Sequence, residues 1–207
     1  MGPTRKKTPR TYLRADERRR QLLATAAELV GKSGWEALGM LPLAEAAGVS
    51  RQLVYEHFEN LPALRLEVTR YLFEEMFEAA GDALERFPDD LAAAARTAVR
   101  LQLELPRGAR LALREIGPGP ASASPPLRRL RVRVRQQVTE TWAAAIRRNS
   151  KLDPRQARAL AWMMTVASWS LFDLVADGTF TPDEAADFYV KAVTGAMTAL
   201  EPKARAT

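Results

Sequence analysis

Apolar residues recur every three to four positions through most of the chain, a spacing that places them on one face of an α-helix. In the first such run these residues are Leu22, Ala26, Leu29 and Val30, and the run ends near Gly34. No stretch shows the alternation of apolar and polar residues that is typical of a half-buried strand. The pattern therefore predicts an all-α fold.

Residues that commonly cap helices mark where the predicted helices begin. Serine, threonine, asparagine and aspartate side chains accept hydrogen bonds from the free N–H groups of a first helical turn. The predicted starts are Asp16, about Pro42, Ser50, Asn60, Asp89 or Asp90, Leu127, Asp153 and Thr181. The helix from Asn60 is predicted to run to about Phe87, and GPGPASASPP at residues 117–126 is predicted to be a loop.

Two short predicted helices, at about 42–47 and 51–57, are separated by Gly48. Gly48 can adopt the positive φ that a tight turn needs. Their predicted shared core is Leu43, Val49, Val54 and Phe58. The outward residues of the second helix are Arg51, Gln52, Tyr55 and Glu56, which are suited to a DNA groove and its phosphates. The pattern indicates a helix-turn-helix, although helical hairpins of other function share it.

The charge excess is modest and unevenly placed. The chain carries 31 Lys and Arg against 25 Asp and Glu, a formal charge of +6. Residues 1–14 contain basic residues and no acid. A DNA-contacting arm and a solvated tail both fit this composition. Further along, the acidic series on the helix from Asn60 is predicted to be a solvated face; its members are Glu74, Glu75, Glu78, Asp82 and Glu85.

The composition argues against several classes of site. The absence of cysteine excludes disulfides and thiolate chemistry, and it fits a cytoplasmic location. The only histidine, His57, lacks catalytic partners, so no catalytic residue, metal site or cofactor is predicted. The N-terminus has no apolar signal-peptide core. The most apolar segment, 160–172, is shorter than the ~18 residues of a membrane span, so no membrane association is predicted.

A wider pattern surrounds the two short helices. The basic arm, KSGWEAL at the end of the first helix, and LAEAAGVSRQLVYEHFENLPAL together resemble the N-terminal domain of the TetR family of transcriptional regulators. The resemblance is close over residues 14–66. It implies a basic arm at 1–14, a three-helix DNA-binding domain at 15–59, and a larger helical domain at 60–207 that binds a small molecule and dimerises.

The resemblance also implies a set of DNA-contacting residues. Arg51, Gln52 and Leu53 fall where base edges are read, and Tyr55 and His57 fall where the phosphate backbone is held. For His57, packing within the helix-turn-helix remains an equal alternative. The predicted DNA-binding residues are Arg5, Lys6, Lys7, Ser50, Arg51, Gln52, Leu53, Tyr55 and His57.

Three positions depart from the family's usual residues. Gly39, Leu41 and Leu61 stand where the family commonly has polar or basic phosphate partners. These departures favour a greater contribution from the basic arm. They also leave open a helix-turn-helix that has lost DNA binding and serves as an interaction module.

Aromatic residues and methionines in the C-terminal part can form either plain core or the walls of an apolar pocket. The resemblance favours a pocket for a small, largely apolar effector. The predicted ligand-binding residues are Phe73, Phe77, Leu101, Leu105, Trp142, Ile146, Trp162, Met163 and Trp169.

The last helix is rich in small residues and follows an almost wholly apolar helix. Two such helices from each subunit can form a four-helix dimer interface. Packing within one chain is the alternative. The predicted interface residues are Leu160, Met164, Leu171, Phe188, Ala192, Gly195, Ala196 and Ala199.

The sequence thus predicts a cytoplasmic, homodimeric repressor that a small apolar effector releases from a pseudo-palindromic double-stranded DNA operator. An enzyme acting on an apolar small molecule is the alternative from another class. Its best acid–base candidates are Glu104 and Asp173.

Overall fold

The computed structural model describes residues 15–106, 108–110 and 124–202. The predicted basic arm, with Arg5, Lys6 and Lys7, lies outside these ranges, as does most of the predicted loop at 117–126. The described residues form α-helices and no strand, which confirms the all-α prediction.

The α-helices follow one another along the chain, joined by short connections where both ends are described. Their bounds are α1 Ala15–Ser33, α2 Met40–Ala46, α3 Arg51–His57, α4 Leu61–Arg86, α5 Leu91–Leu103, α6 Pro125–Asn149, α7 Pro154–Ala176 and α8 Pro182–Leu200. A single 3₁₀ turn, Trp35–Ala37, lies between α1 and α2.

Most helix starts coincide with the predicted capping residues. The Ser50 hydroxyl accepts the N–H of Leu53 at 3.2 Å, and the Asn60 side chain accepts that of Ala63 at 2.9 Å. Asp90 caps α5, while Asp153 and Thr181 form full capping boxes on α7 and α8. These starts are predictable because a cap and its partners are neighbours in sequence.

Three predicted starts differ from the structure by one or two residues. The described part of α1 begins at Ala15, so Asp16 lies within the helix rather than at its cap. The α2 helix begins at Met40, so Pro42 lies in its first turn. Proline is tolerated there because the N–H groups of a first turn have no partner within the helix. Likewise α6 begins at Pro125 rather than Leu127.

Two separate hydrophobic cores are present. The N-terminal core joins α1, α2 and α3 to the first turns of α4, where Leu64 and Val68 are fully buried. The C-terminal core begins on α4 at Phe73 and extends through α5 to α8. Within it, α6 packs along α7, and α5 packs against α4 and α8. The α4 helix is therefore a structural member of both cores.

The segment that follows α5 also contacts α1 directly. A Cβ atom added at Gly108 would lie 2.3 Å from the backbone nitrogen of Gly31. Only a residue without a side chain permits this backbone contact. The segment after α5 therefore rests directly on the first helix.

The turn between α2 and α3 gives a stability prediction. Gly48 has φ +64°, and we expect Gly48→Ala to cost about 1 kcal/mol, because an L-residue is strained in this region. Gly81→Ala is the matched control: it lies inside α4 with no atom within 4 Å of its added Cβ, and it should stabilise the fold by about 0.5–1 kcal/mol. Urea unfolding of both variants measures the two effects. Equal stabilities would show that the Gly48 turn does not constrain the fold.

Candidate nucleic-acid interface and ligand cavity

The α2 and α3 helices form a packed helix-turn-helix. Leu43, Ala44 and Val54 are buried between them, and Phe58 closes the end of α3. The N–H of Val49 donates to the carbonyl of Ala44 at 3.0 Å across the Gly48 turn. This packing holds α3 by its inner face and leaves its outer face in solvent.

The outer face of α3 carries exposed polar side chains. Arg51 donates to the hydroxyl of Tyr55 at 3.2 Å, and its guanidinium lies 5.4 Å from the centre of the Tyr55 ring. Gln52 donates to Glu56 at 3.5 Å. All four side chains are exposed, whereas Leu53 is half-buried. The contacts among them are local and exchangeable, so this face can rearrange against a base edge or a phosphate.

His57 takes part in a junction that sequence reasoning missed. Its backbone carbonyl accepts a hydrogen bond from Arg19 of α1, 38 positions away. The same guanidinium lies 4.8 Å from the centre of the Phe58 ring and 3.2 Å from the carboxylate of Glu67 on α4. Arg19 thus ties the end of α3 to both α1 and α4. The His57 side chain is half-buried, and its ring centre lies 6.4 Å from that of Phe58. Packing and phosphate contact both stay predictions for this residue.

The three departures from the family pattern occupy different environments. Gly39 is the N-cap of α2 in extended backbone and provides no side-chain cap. Leu41 is 50% exposed, whereas Leu61 packs partly on the N-terminal core. Leu61 therefore has a packing role in the N-terminal core.

A cavity of about 250 Å³ lies among the helices of the C-terminal core. Five predicted ligand-binding residues line it: Phe77, Leu101, Leu105, Trp142 and Trp169. Phe73 and Ile146 do not; both are buried in the core, where Phe73 stacks on Phe77 with ring centres 5.7 Å apart.

Trp162 and Met163 also lie outside this cavity. Trp162 contacts Trp169 edge-to-face at 6.0 Å, but it sits two turns earlier on α7, beneath the guanidinium of Arg135. Met163 is turned to solvent and is 65% exposed. Trp162 precedes the part of α7 that lines the cavity. Met163 lies on another face of α7, since its neighbours Met164 and Thr165 line the cavity.

The cavity contains polar groups that sequence reasoning missed. Gln102 donates to the backbone carbonyl of Ser168 at 3.0 Å, and the Ser168 hydroxyl donates back to Gln102 at 3.2 Å. The Tyr189 hydroxyl donates to the carbonyl of Met164 at 3.0 Å, and burial raises the pKa of Tyr189. Each of these polar groups therefore has a hydrogen-bond partner within the protein. The remaining walls are largely apolar.

An apolar groove of about 260 Å³ separates the outer faces of α7 and α8. Leu160, Met164 and Leu171 are buried and line its floor. Phe188, Ala192 and Ala196 line it from α8, where Phe188 is 54% exposed. Gly195 and Ala199 are exposed on the same helix outside the groove lining. The predicted interface residues thus lie at or beside one surface.

The α7 helix is long and apolar enough, by length and composition alone, to cross a membrane. In this structure it instead packs along α6, and residues such as Ala157 and Ala161 are fully buried. A core helix passes the same test, so one such helix is weak evidence for a membrane span.

The alternative of an enzyme gains no support from the cavity. Glu104 pairs with Arg100 at 3.4 Å, and neither Glu104 nor Asp173 lines the cavity. In the described part of the chain, no group of three or more His, Cys, Asp or Glu residues could hold a metal ion.

Comparisons with known proteins agree with this architecture. The family described as bacterial regulatory proteins, tetR family, matches residues 22–68, which include the helix-turn-helix and the start of α4. The HTH-type transcriptional activator FasR of Mycolicibacterium smegmatis is 36% identical over 75 residues, which are 36% of this chain and 34% of that protein. The match thus spans about a third of that relative.

Solved structures extend the likeness to most of the chain. A TetR-family transcriptional regulator from Rhodococcus sp. superposes with a TM-score of 0.69 at 21% identity, covering 88% of this chain and 99% of that one. AibR, crystallised in complex with isovaleryl coenzyme A and operator DNA, superposes with a TM-score of 0.57 at 21% identity, covering 84% and 97%. At these identities the likeness concerns the fold.

The Arg19 junction gives a second stability prediction. We expect Arg19→Met to destabilise the fold by about 1–2 kcal/mol, because it removes charge-assisted hydrogen bonds and the contact with Phe58. Lys32→Met is the matched control, since Lys32 forms an exposed pair with Glu28 on the same helix and should cost less than about 0.5 kcal/mol. Thermal unfolding compares the two variants. Similar small losses would show that Arg19 does not join the helices energetically.

Proposed function

The chain belongs to the TetR family of bacterial regulatory proteins, and we propose that it is a DNA-binding transcriptional regulator controlled by a small molecule. The observation that carries the proposal is the outer face of α3. Arg51, Gln52 and Tyr55 are exposed there, while the inner face of α3 packs in the N-terminal core. Such a helix can enter the major groove of DNA without first reorganising the domain.

The contacts with DNA divide into two kinds. Arg51 and Gln52 read base edges, since both offer paired hydrogen-bonding groups, and half-buried Leu53 can meet a thymine methyl group. Tyr55 and His57 contact phosphates, which sets the position of the domain without reading sequence. The basic residues of 1–14 add phosphate contacts. A DNA partner also fits a cytoplasmic location.

The groove between α7 and α8 is the proposed dimer interface. Its apolar floor and small side chains suit two helices of a second copy, giving a four-helix arrangement with two-fold symmetry. A symmetric dimer presents two α3 helices, so its operator is pseudo-palindromic. Half-sites are separated by about 34–36 Å or a multiple of it.

The effector occupies the cavity of the C-terminal core and releases the operator, which makes the protein a repressor. The α4 helix supports this coupling because Phe77 lines the cavity while Leu64 lies beneath the helix-turn-helix. By linkage, the operator then weakens effector binding by the same factor. The structure of AibR holds both an acyl coenzyme A and operator DNA on the same fold. FasR bears the name of an activator, so the direction of regulation is an outcome to measure.

The DNA-binding proposal predicts selection of a pseudo-palindrome from random duplex DNA. Arg51→Ala or Gln52→Ala should relax preference at one base pair per half-site by about 1–3 kcal/mol. Tyr55→Phe should weaken selected and random DNA alike, because a phosphate contact carries no sequence information. Glu85→Gln, remote on α4, is the control. Failure to select any sequence would favour the alternative, an interaction module that has lost DNA binding.

The dimer proposal predicts a change of assembly state. Ala192→Asp puts a carboxylate into the groove twice per symmetric dimer, and it should weaken dimerisation by at least about 100-fold because both charges lose water. Lys191→Asp is the control, a larger charge change on the same helix outside the groove lining. Sedimentation velocity measures both variants. A dimer that survives Ala192→Asp would place the interface elsewhere.

A further inference from the structure

The cavity of the C-terminal core is lined, in the described part of the chain, by an acidic residue and by no basic one. Among the described residues that line it, Glu75 is the charged side chain, and no Lys, Arg or His contributes. Tyr189 is the other ionisable group, and burial raises its pKa, so that it stays neutral. The charge that the described residues present to a ligand in this cavity is therefore negative.

Glu75 lines the cavity from α4 with an exposed side chain. Tyr71 lies one turn earlier on the same helix. Burial, followed by the charge of Glu75, raises the pKa of the Tyr71 phenol, although Arg20 of α1 acts in the opposite direction. Arg70, the nearest cation along α4, is already paired with Glu67 and Glu74.

The walls beyond Glu75 are suited to the same kind of ligand. Phe77, Trp142 and Trp169 supply aromatic surfaces, which attract a cation through the negative faces of their rings. The polar groups of Gln102, Ser168 and Tyr189 are bonded to one another or to backbone. None of them is a cationic partner for a carboxylate or a phosphate.

We propose that the effector of this protein is an amphiphilic cation, with an ammonium-type headgroup at Glu75 and an apolar tail in the cavity. This inference rests on the proposed function in that it assigns the chemical class of the effector. The volume, about 250 Å³, lies just below the ~300–1,000 Å³ of typical ligand sites, so the tail is a single alkyl chain or a single ring system. An anionic acyl compound would instead meet the Glu75 carboxylate as a like charge.

The test uses three ligands with the same ten-carbon chain and different heads: decyltrimethylammonium, decanol and decanoate. The two ionic ligands are titrated below their micelle concentrations, and decanol below its solubility limit, into the 207-residue chain. Calorimetry and the change in tryptophan fluorescence are the readouts, since Trp142 and Trp169 line the cavity. The expected result is that the cation binds at least about tenfold more tightly than the carboxylate, with the alcohol between them.

The Glu75→Gln variant tests whether this carboxylate is the cause. It should reduce the difference between cation and carboxylate to less than about threefold and leave decanol unchanged. Glu85→Gln is the matched control, the same change on the same helix away from the cavity lining, and it should keep the full difference. Three results overturn the proposal: decanoate binding as tightly as the cation, an unchanged preference in Glu75→Gln, or no binding by any of the three.

Operator binding separates this inference from the proposed function. If the protein selects a pseudo-palindrome but prefers decanoate, the proposed function stands and the proposal of a cationic effector is wrong. If the protein binds the cation through Glu75 but selects no DNA, the proposed function is wrong and the proposal of a cation site at Glu75 stands. Release of selected DNA by decyltrimethylammonium, and not by decanoate, supports both together.

Discussion

The arrangement of the whole molecule depends on one continuous helix. The first turns of α4 are buried in the N-terminal core through Leu64 and Val68, and the next turns enter the C-terminal core at Phe73. A helix is stiff along its axis, so a displacement at one end is carried to the other. The Arg19 junction adds to this, because it fastens α3 to Glu67 on the same helix. The contact of Gly108 with Gly31 gives a second connection through α1.

Sequence alone predicted the features that depend on neighbours in the chain. Ser50, Asn60 and Thr181 cap the helices they were expected to cap, because each cap needs only the residues two or three positions ahead. The all-α class followed from the same periodicity. The starts of α2 and α6 were each placed two residues late, since a proline is tolerated within a first turn and does not by itself mark the first helical residue.

The site was predicted less completely, for a physical reason. Periodicity shows which face of a helix is apolar but not where along that face a cavity opens. Trp169 therefore lines the cavity while Trp162, about 10 Å earlier on α7, lies beneath Arg135. Gln102 and Ser168 are hydrogen-bonded although they lie 66 positions apart, so no local sequence pattern predicts this pair. The Arg19 junction escaped prediction for the same reason.

The cavity and the outer groove share a wall on α7, and Met164 lines both. Tyr189 of α8 also lines both, so the flexible side chain of Met164 and the ring of Tyr189 together lie between the proposed effector and the proposed second subunit. Any change at Met164 alters the shape of two surfaces at once. A substitution of Met164 that enlarges the cavity is therefore expected to change the packing of the proposed partner helix as well.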